Sequence, residues 1–370
     1  MKTNPFLRFI ALVIAATLFA SSTQAVDRTW TGSVIDNDWN TPENWSADTK
    51  PVSGDRAVFN AAVAGGTVAS AVAIQRLKDI RFDLAAGSIT IGEAGNSRTL
   101  RLDYLGTMEM QATLAGSNNT ITFNTLLELR SNVPYEGPIA YTINNNNTNA
   151  SNIFAIAGGV TAAETDQGGT LTLGGVNTGD NIISGDIDDG LAEEGLAVTK
   201  SGTGKWILSG VNTFSAGLNI NAGVLRLDSA AAAGSGNIKF GGGTLQYGVG
   251  NTTDYSGKIK NSGSAIMIDV NGQNVTFAEL DANNTRGLTL ADSAATAGTL
   301  TLSGSHAYSG TTTVNRGTLS VTGTMTGTGA LVVGGKADGF KQGVKLAQEI
   351  IESGGAKRKL AELREMSNAF

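Results

Sequence analysis

A Gly- and Thr-rich segment occurs twice in this chain, and repetition on this scale constrains the fold more than any other feature. The first copy reads Val198-Thr199-Lys200-Ser201-Gly202-Thr203-Gly204-Lys205-Trp206-Ile207-Leu208-Ser209-Gly210-Val211-Asn212-Thr213-Phe214-Ser215 and continues through Ile220-Asn221-Ala222-Gly223-Val224-Leu225-Arg226-Leu227. The second reads Gly298-Thr299-Leu300-Thr301-Leu302-Ser303-Gly304-Ser305-His306-Ala307-Tyr308-Ser309-Gly310 and continues through Val314-Asn315-Arg316-Gly317-Thr318-Leu319-Ser320-Val321. Leu208 aligns with Leu302, Phe214 with Tyr308, Gly223 with Gly317 and Leu225 with Leu319, with no gap between them. A shorter echo, Gly169-Thr170-Leu171-Thr172-Leu173-Gly174-Gly175-Val176-Asn177-Thr178, precedes both. A unit this short cannot cover its own apolar face, so each copy needs a neighbour stacked on it.

Composition narrows what kind of stack this is. The chain has 370 residues with 49 Gly, 5 Pro, 41% apolar and 16% charged residues. Gly shows no period of three and Pro is scarce, which excludes collagen. The apolar residues alternate along short segments, which excludes disorder. Short alternating strands broken by Gly, Asn and Asp suit an all-β solenoid. A net charge of -6 argues against a nucleic-acid partner. The absence of Cys removes disulfides and thiolate metal sites, and a solenoid draws its core from stacking instead.

The repeats resemble the autotransporter-associated β-strand repeat, also called the passenger-associated transport repeat. That pattern is a Gly-x-Gly turn, a strand ending in Leu-Ser-Gly, an Asn-x-aromatic step, a Thr-rich strand and Ala/Gly-x-Leu. Phe214 and Tyr308 fill the aromatic position, and His306 stands where Asn212 keeps the usual Asn. The resemblance covers about a third of the chain at motif quality, with the best copies at about 196–227 and 287–321. It implies a right-handed parallel β-helix in a secreted or surface-displayed protein.

The N-terminus has the order of a secretory signal over residues 1–25. Lys2 and Arg8 form the basic start, Phe9 to Ala20 the apolar stretch, and Thr23-Gln24-Ala25 the small residues before cleavage at Val26. Residues 26–60 come next, with Trp30-Thr31-Gly32, Asp36-Asn37-Asp38-Trp39-Asn40, Glu43-Asn44-Trp45 and Pro51-Val52-Ser53-Gly54-Asp55-Arg56-Ala57-Val58-Phe59. This stretch is similar to the Trp-rich opening of secreted proteins of the same repeat family. Trp30, Trp39 and Trp45 admit two roles, stacking on sugar rings or sealing the open end of the solenoid. The cap is the stronger expectation, because an open solenoid end exposes apolar edges.

The β-helix is expected over 61–333, as about a dozen coils of about 20 residues each. Ser88-Ile89-Thr90-Ile91, Thr99-Leu100-Arg101-Leu102, Thr120-Ile121-Thr122-Phe123 and Ala140-Tyr141-Thr142-Ile143 are its early strands. Gly223 and Gly317 are expected at equivalent tight turns, with Leu225 and Leu319 inward in a common stack. Asn144 to Asn147 is either an Asn ladder between coils or a solvated loop, and the loop is favoured. Asp186, Asp188, Asp189, Glu193 and Glu194 raise calcium as an option, but their spacing matches neither an EF-hand loop nor a Gly-Gly-x-Gly-x-Asp nonapeptide roll, and a solvated acidic loop is preferred.

After Gly335 the texture changes. Phe340, Val344, Ala347 and Ile351 share one helical face, Gly354-Gly355 breaks the pattern, and Leu360, Leu363 and Met366 line a second helix, so 334–370 reads as a two-helix tail. This tail resembles the C-terminal end of anthranilate phosphoribosyltransferase, through Gly335-Lys336-Ala337, Gly343-Val344, Leu346-Ala347, Ser353-Gly354, Lys359-Leu360, Leu363 and Ser367-Asn368. The resemblance implies packing elements without the active site. Gly202-Thr203-Gly204-Lys205 is the nearest Gly-rich loop, and it lies inside a β-repeat, not between a strand and a helix where a phosphate loop works. The only His is His306. No catalytic, cofactor-binding or metal-binding residue is assigned.

The expected function is structural and adhesive: a secreted or cell-surface, outer-envelope passenger-type β-helix facing extracellular polysaccharide or protein, without nucleic acid. After the signal no transmembrane helix is expected, and no barrel translocator is legible. The alternatives are a phosphoribosyltransferase activity through the tail or a polysaccharide-active β-helix enzyme, which needs paired carboxylates on one face.

Overall fold

Residues that alternate apolar and small polar with a period of two make strands of three to five residues, too short to be stable unless paired on both sides. The computed structural model shows how they pair. It describes residues 25–34, 36–69, 74–83, 87–95, 98–112, 116, 118–130, 139–163, 168–327 and 331–333. The secretory signal, residues 1–24 of it, and the tail 334–370 lie outside the described residues.

The strand pairs are parallel, and partners lie one coil apart in sequence. The chain is therefore a parallel β-helix. One 12-stranded sheet climbs its length from Thr67–Val68 through Ile89–Ile91, Thr120–Phe123, Ile153–Ile156, Asn181–Ile183, Lys205–Leu208, Val224–Leu227, Thr244–Tyr247, Ile266–Asp269, Leu288–Ala291 and Thr312–Val314 to Leu331–Val333. A second sheet begins at Asp27–Thr29 and Arg56–Phe59 and ends at Ile238–Phe240. Short strands at Leu126–Leu129, Val160–Ala162 and Ile187–Asp188 make a third side in the first half. The strand Thr99–Met110 turns a corner at Leu105, whose φ is 56°, and so pairs with Leu126–Leu129 by its first part and with Ile139–Asn145 by its second. Beyond Phe240 the third side becomes a 4-stranded sheet, Asn274–Leu280, Thr299–His306, Thr318–Val321 and Thr324–Met325. No α-helix occurs among the described residues.

The dozen coils are there, but the uniform period is not. Stacked residues are 32 and 33 apart at Ser88–Thr120 and Asn119–Asn152, 27 apart at Phe154–Asn181, and 19 to 24 apart farther on. The coil of 19 to 24 residues holds at the first coils, where Thr67 and Thr90 are 23 apart, and again in the second half, with longer coils between. The longer coils hold strands on all three sides, as at Leu126–Leu129, whereas the middle coils turn directly through Gly210 to Ser215 and the last coils lack the strand of the second sheet, which ends at Ile238–Phe240.

This change of coil shape corrects one expectation. Leu225 stacks between Trp206 and Leu245 in the 12-stranded sheet, whereas Leu319 stacks on Leu300 in the 4-stranded sheet. The two copies share a local conformation, but the second sits one side farther round the coil, so the leucines do not share a stack. Gly223 (φ 63°) and Gly317 (φ 91°) do occupy matching turns in the left-handed region that a side chain resists.

Inward residues form continuous columns. Trp206, Leu225, Leu245, Ile268 and Leu290 succeed one another and are each 0% exposed. Fully burying a side chain of this size is worth about 1.5–3 kcal/mol. An aromatic column fills the wider first half. Phe59 stacks on Phe82 with centroids 5.3 Å apart, Phe82 meets Phe123 and Phe154 at 6.0 Å, and Phe154 stacks on Trp206 at 6.2 Å.

Candidate functional site

The three N-terminal tryptophans cannot act as a sugar platform, because their faces are inside. Trp30, Trp39 and Trp45 are 3%, 0% and 1% exposed. Trp45 lies edge-on to Trp30 and Trp39 at 5.0 and 4.8 Å, and all three pack on Phe59 within 6 Å. Trp45 Nε1 donates to the Trp39 carbonyl at 2.8 Å. The turns that carry them are tied by Asp36, which accepts from Asp38 N, Thr41 Oγ1 and Asn44 Nδ2 at 3.0, 2.7 and 2.7 Å. The Asp38 amide, then the Thr41 and Asn44 side chains, hold the Asp36 carboxyl below its ordinary pKa. The arrangement is a plug on the first coils.

The Asn run is also internal, against the favoured loop reading. Asn145 and Asn147 are 0% and 1% exposed and belong to a ladder with Asn152, Asn177 and Asn181. Asn145 Nδ2 donates to Asn152 O at 2.8 Å and to Asn181 Oδ1 at 2.6 Å, while Asn177 Nδ2 donates to Asn147 O at 2.8 Å. Asn181 Nδ2 reaches Asn177 Oδ1 and Lys205 O, both at 3.0 Å. At a solenoid corner the backbone leaves the ladder, and a primary amide supplies both the donor and the acceptor that the corner lacks. Four consecutive Asn looked like solvent-seeking residues; only their alternation with the strand period marks two of them as inward.

The acidic run serves its own turns. Asp186 accepts from Val211 N at 2.7 Å, Asp188 from Gly190 N at 2.8 Å and from the Thr161 hydroxyl, and Asp189 from Leu196 N and Ser215 N at 2.6 and 3.0 Å. Glu193 and Glu194 are exposed. Among the described residues no group of three His, Asp or Glu converges as a metal would need. The Gly202–Lys205 loop spends its amides on stacking: Gly204 N donates to Gly175 O and Lys205 N to Asn177 O at 3.1 and 2.8 Å. A Cβ on Gly204 would sit 2.3 Å from the Asn177 carbonyl, so the loop lies flat on the coil below and has no room for a phosphate.

A buried cation escaped the sequence reading, as did the buried carboxylates of Asp103 and Asp292. Lys200 is 0% exposed, and its Nζ donates to the carbonyls of Ser201, Gly202 and Ala222 at 2.5, 2.9 and 3.1 Å. It bridges two successive coils at their turn. Burial lowers its pKa to about 8. Its signal in the sequence was faint: Val198 and Lys200 share strand parity, and Val198 faces inward.

The outer surface offers a different kind of site. Thr107, Thr142, Thr172 and Thr199 occupy one column on four consecutive coils, with Asn219 next in line. All five are partly exposed on strands whose alternate residues are buried. Neighbouring strands lie about 4.8 Å apart, so the column is a regular row of short polar groups without charge. On another side Arg101, Glu128 and Arg130 edge an open groove floored by Thr161, Ala162, Ala163 and Gly190, with Leu191 60% exposed at its rim. Arg101 Nε is 3.0 Å from Glu128 Oε1, and Arg130 lies 3.5 Å from the same oxygen.

Comparison with known families assigns the repeated segment. The passenger-associated-transport-repeat family matches residues 198–227 and 297–321. The chain carries passenger-associated transport repeats. The adhesin BmaC autotransporter of Brucella suis biovar 1 (strain 1330) is 34% identical over 182 residues, which is 48% of this chain and 4% of that protein. The chain thus spans a small fraction of the curated relative it matches. No solved structure matches it.

The transport repeats differ at one internal position. In the first, Asn212 Oδ1 accepts from Ile187 N at 2.9 Å and its Nδ2 donates to Ala232 O at 2.7 Å, so it sews the coil below to the coil above. In the second, His306 is 0% exposed, and neither ring nitrogen has a hydrogen-bond partner among the described residues. Burial pushes its pKa below the ordinary value, against the opposing pull of Asp254 and Glu279. The aromatic position is internal in both: Phe214 and Tyr308 are 0% and 1% exposed.

Proposed function

We propose that this chain is a length of a cell-surface or secreted passenger solenoid with an adhesive and structural role, not a catalytic one. The observation that carries this reading is the 182-residue similarity to an autotransporter adhesin, joined to two transport repeats folded as coils of one continuous β-helix. Twelve stacked strands at about 4.8 Å per step make a rod about 50 Å long. A rod of this kind presents flat sides to extracellular polysaccharide or surface protein, and the uncharged Thr107–Thr199 row is the side proposed to make contact. Asp186 and Asp189 of the acidic run accept from backbone amides at turns. No helix among the described residues is long and apolar enough to cross a membrane. The phosphoribosyltransferase alternative rests on residues outside the described ones.

The test uses beads coated with the purified chain, exposed under flow to surfaces of extracellular polysaccharide, matrix protein or whole cells. Saturable retention is expected on at least one of them and should fall when Thr142→Glu and Thr172→Glu are introduced together. Retention no better than on albumin-coated beads would refute adhesion. Steady release of reducing ends from a soluble polysaccharide would favour a carbohydrate-active enzyme in its place.

A further inference from the structure

On the third side of the solenoid, Arg101, Glu128, Thr161 and Asp188 stand in one outward column on four successive coils. The upper pair is closed, because the Thr161 hydroxyl donates to Asp188. The lower pair is not balanced. Arg101 Nε lies 3.0 Å from Glu128 Oε1, and Arg130 leans on the same oxygen at 3.5 Å, so two guanidinium groups share one carboxylate. The Glu128 side chain is 14% exposed, against 36% for Arg101 and 35% for Arg130. The anion is tucked below and the cations face outward. A guanidinium carries five N–H donors in a planar fork, so two of them present more donors than one shared oxygen can accept.

These groups edge a groove of about 460 Å³, within the range of sites for small ligands. Its floor of Thr161, Ala162 and Ala163 is small and uncharged. Leu191 N donates to Ala162 O at 2.9 Å, which ties the exposed Leu191 rim to that floor. Three steps of the column span about 14 Å, so the groove runs along the rod and admits an extended chain as well as a single ion. The exposed Glu193 and Glu194 follow Leu191 in the chain, and Asp188 and Asp189 precede it. A ligand charged on every unit meets these carboxylates about 10–14 Å from the arginines. A ligand whose anionic units alternate with neutral ones avoids that repulsion.

We propose that this groove binds an acidic glycan in which uronic-acid residues are separated by neutral sugars. One carboxylate is held by the Arg101 and Arg130 guanidinium groups, and the neighbouring rings lie over Thr161, Ala162 and Leu191. The site is separate from the Thr107–Thr199 row, and it rests on the adhesive reading only in that a surface rod meets such glycans.

The probe is a hyaluronan hexasaccharide, in which uronate and neutral sugars alternate, titrated calorimetrically into the full chain at low salt. Saturable binding at one site per chain is expected. The same oligosaccharide with its carboxylates reduced to alcohols should bind at least tenfold more weakly. So should the intact oligosaccharide to the chain carrying Arg101→Gln and Arg130→Gln. Glu128→Gln removes the competing internal carboxylate and should tighten binding at least twofold, whereas a purely structural tie between coils gives no such gain. Unchanged tryptophan emission shows that each variant is folded, and Glu128→Gln alone decides if the arginine variant is not. Thr142→Glu with Thr172→Glu should leave this binding as it was. Absence of saturable binding, equal binding of the reduced oligosaccharide, or indifference to the arginines or to Glu128 would overturn the proposal. Tighter binding of heparin or of polyglutamate would give the groove to a dense polyanion or an acidic protein and overturn it equally. Solution binding is measured apart from bead retention, so loss of one with the other intact shows which reading failed.

Discussion

His306 makes the last coils of the solenoid sensitive to mild acid. Its ring lies inside the 4-stranded sheet with Leu280 and Met325 as register neighbours, and both nitrogens lack partners among the described residues. Burial holds its pKa below 6.5 in the folded chain. The unfolded chain keeps a pKa of about 6.5 and takes up a proton as pH falls more readily than the folded chain does. The unfolded state then binds more protons, so stability is present above pH 6.5 and is lost as pH falls below it. At pH 5.5 a free imidazole is about nine-tenths protonated, which puts the loss at no more than about 1.4 kcal/mol relative to pH 7.5. Asp254 and Glu279 pull in the opposite sense and make this figure a ceiling.

The assay is His306→Asn, which restores the residue found at Asn212. Amide exchange over Leu300–Met325, corrected for intrinsic rates, is monitored at pH 7.5 and 5.5. Carboxylates titrate alike in both proteins, so the difference between them isolates the imidazole. The original chain should lose up to about tenfold in protection relative to the variant on going to pH 5.5. A difference that stays constant across this range would refute a buried neutral His306.

Other expectations rest on the same structure. Leu225→Asp places an unpaired carboxylate between Trp206 and Leu245 and should cost several kcal/mol or abolish folding in urea titrations, whereas Leu225→Ala should cost about 2–5 kcal/mol. Asn212→Ala leaves the buried Ile187 amide and Ala232 carbonyl without partners and should cost about 2–5 kcal/mol, measured as lost exchange protection in the coils on either side. Lys200 has a folded pKa of about 8 against 10.5 for the free group, so the original chain should gain stability relative to Lys200→Met as pH rises from 8 to 10.5, by no more than about 3 kcal/mol. A flat difference in denaturation midpoints over that range would contradict a buried ammonium. All four tryptophans are no more than 3% exposed, so their emission should be blue-shifted and unaffected by iodide or oligosaccharides.

The parts of this fold that are legible in the sequence are those set by a period of two. Ile121–Phe123, Leu171–Leu173 and Leu225–Leu227 alternate with polar residues and turn inward as expected. What the sequence hides is how far round the coil each strand falls. That depends on the summed lengths of intervening turns, so Leu225 and Leu319, at matching positions of the two copies, lie on different sides. The corners are equally hidden, because there a polar residue is inside for its polarity. Asn145, Asn181 and Asn212 supply paired donors and acceptors to backbone that has left the ladder, and Lys200 supplies three donors to carbonyls that face one another across a turn. Hydrophobicity cannot find such residues, but parity can: each sits at an inward position where an apolar residue would strand the turn's own polar groups. The same logic explains why this surface is hard to read for function. With many of the carboxylates and amides committed to turns, one outer side presents a regular row, Thr107, Thr142, Thr172 and Thr199, whose information lies in its spacing and flatness. A row of that kind suits extended contact made of many weak interactions, which is what the proposed adhesive role requires.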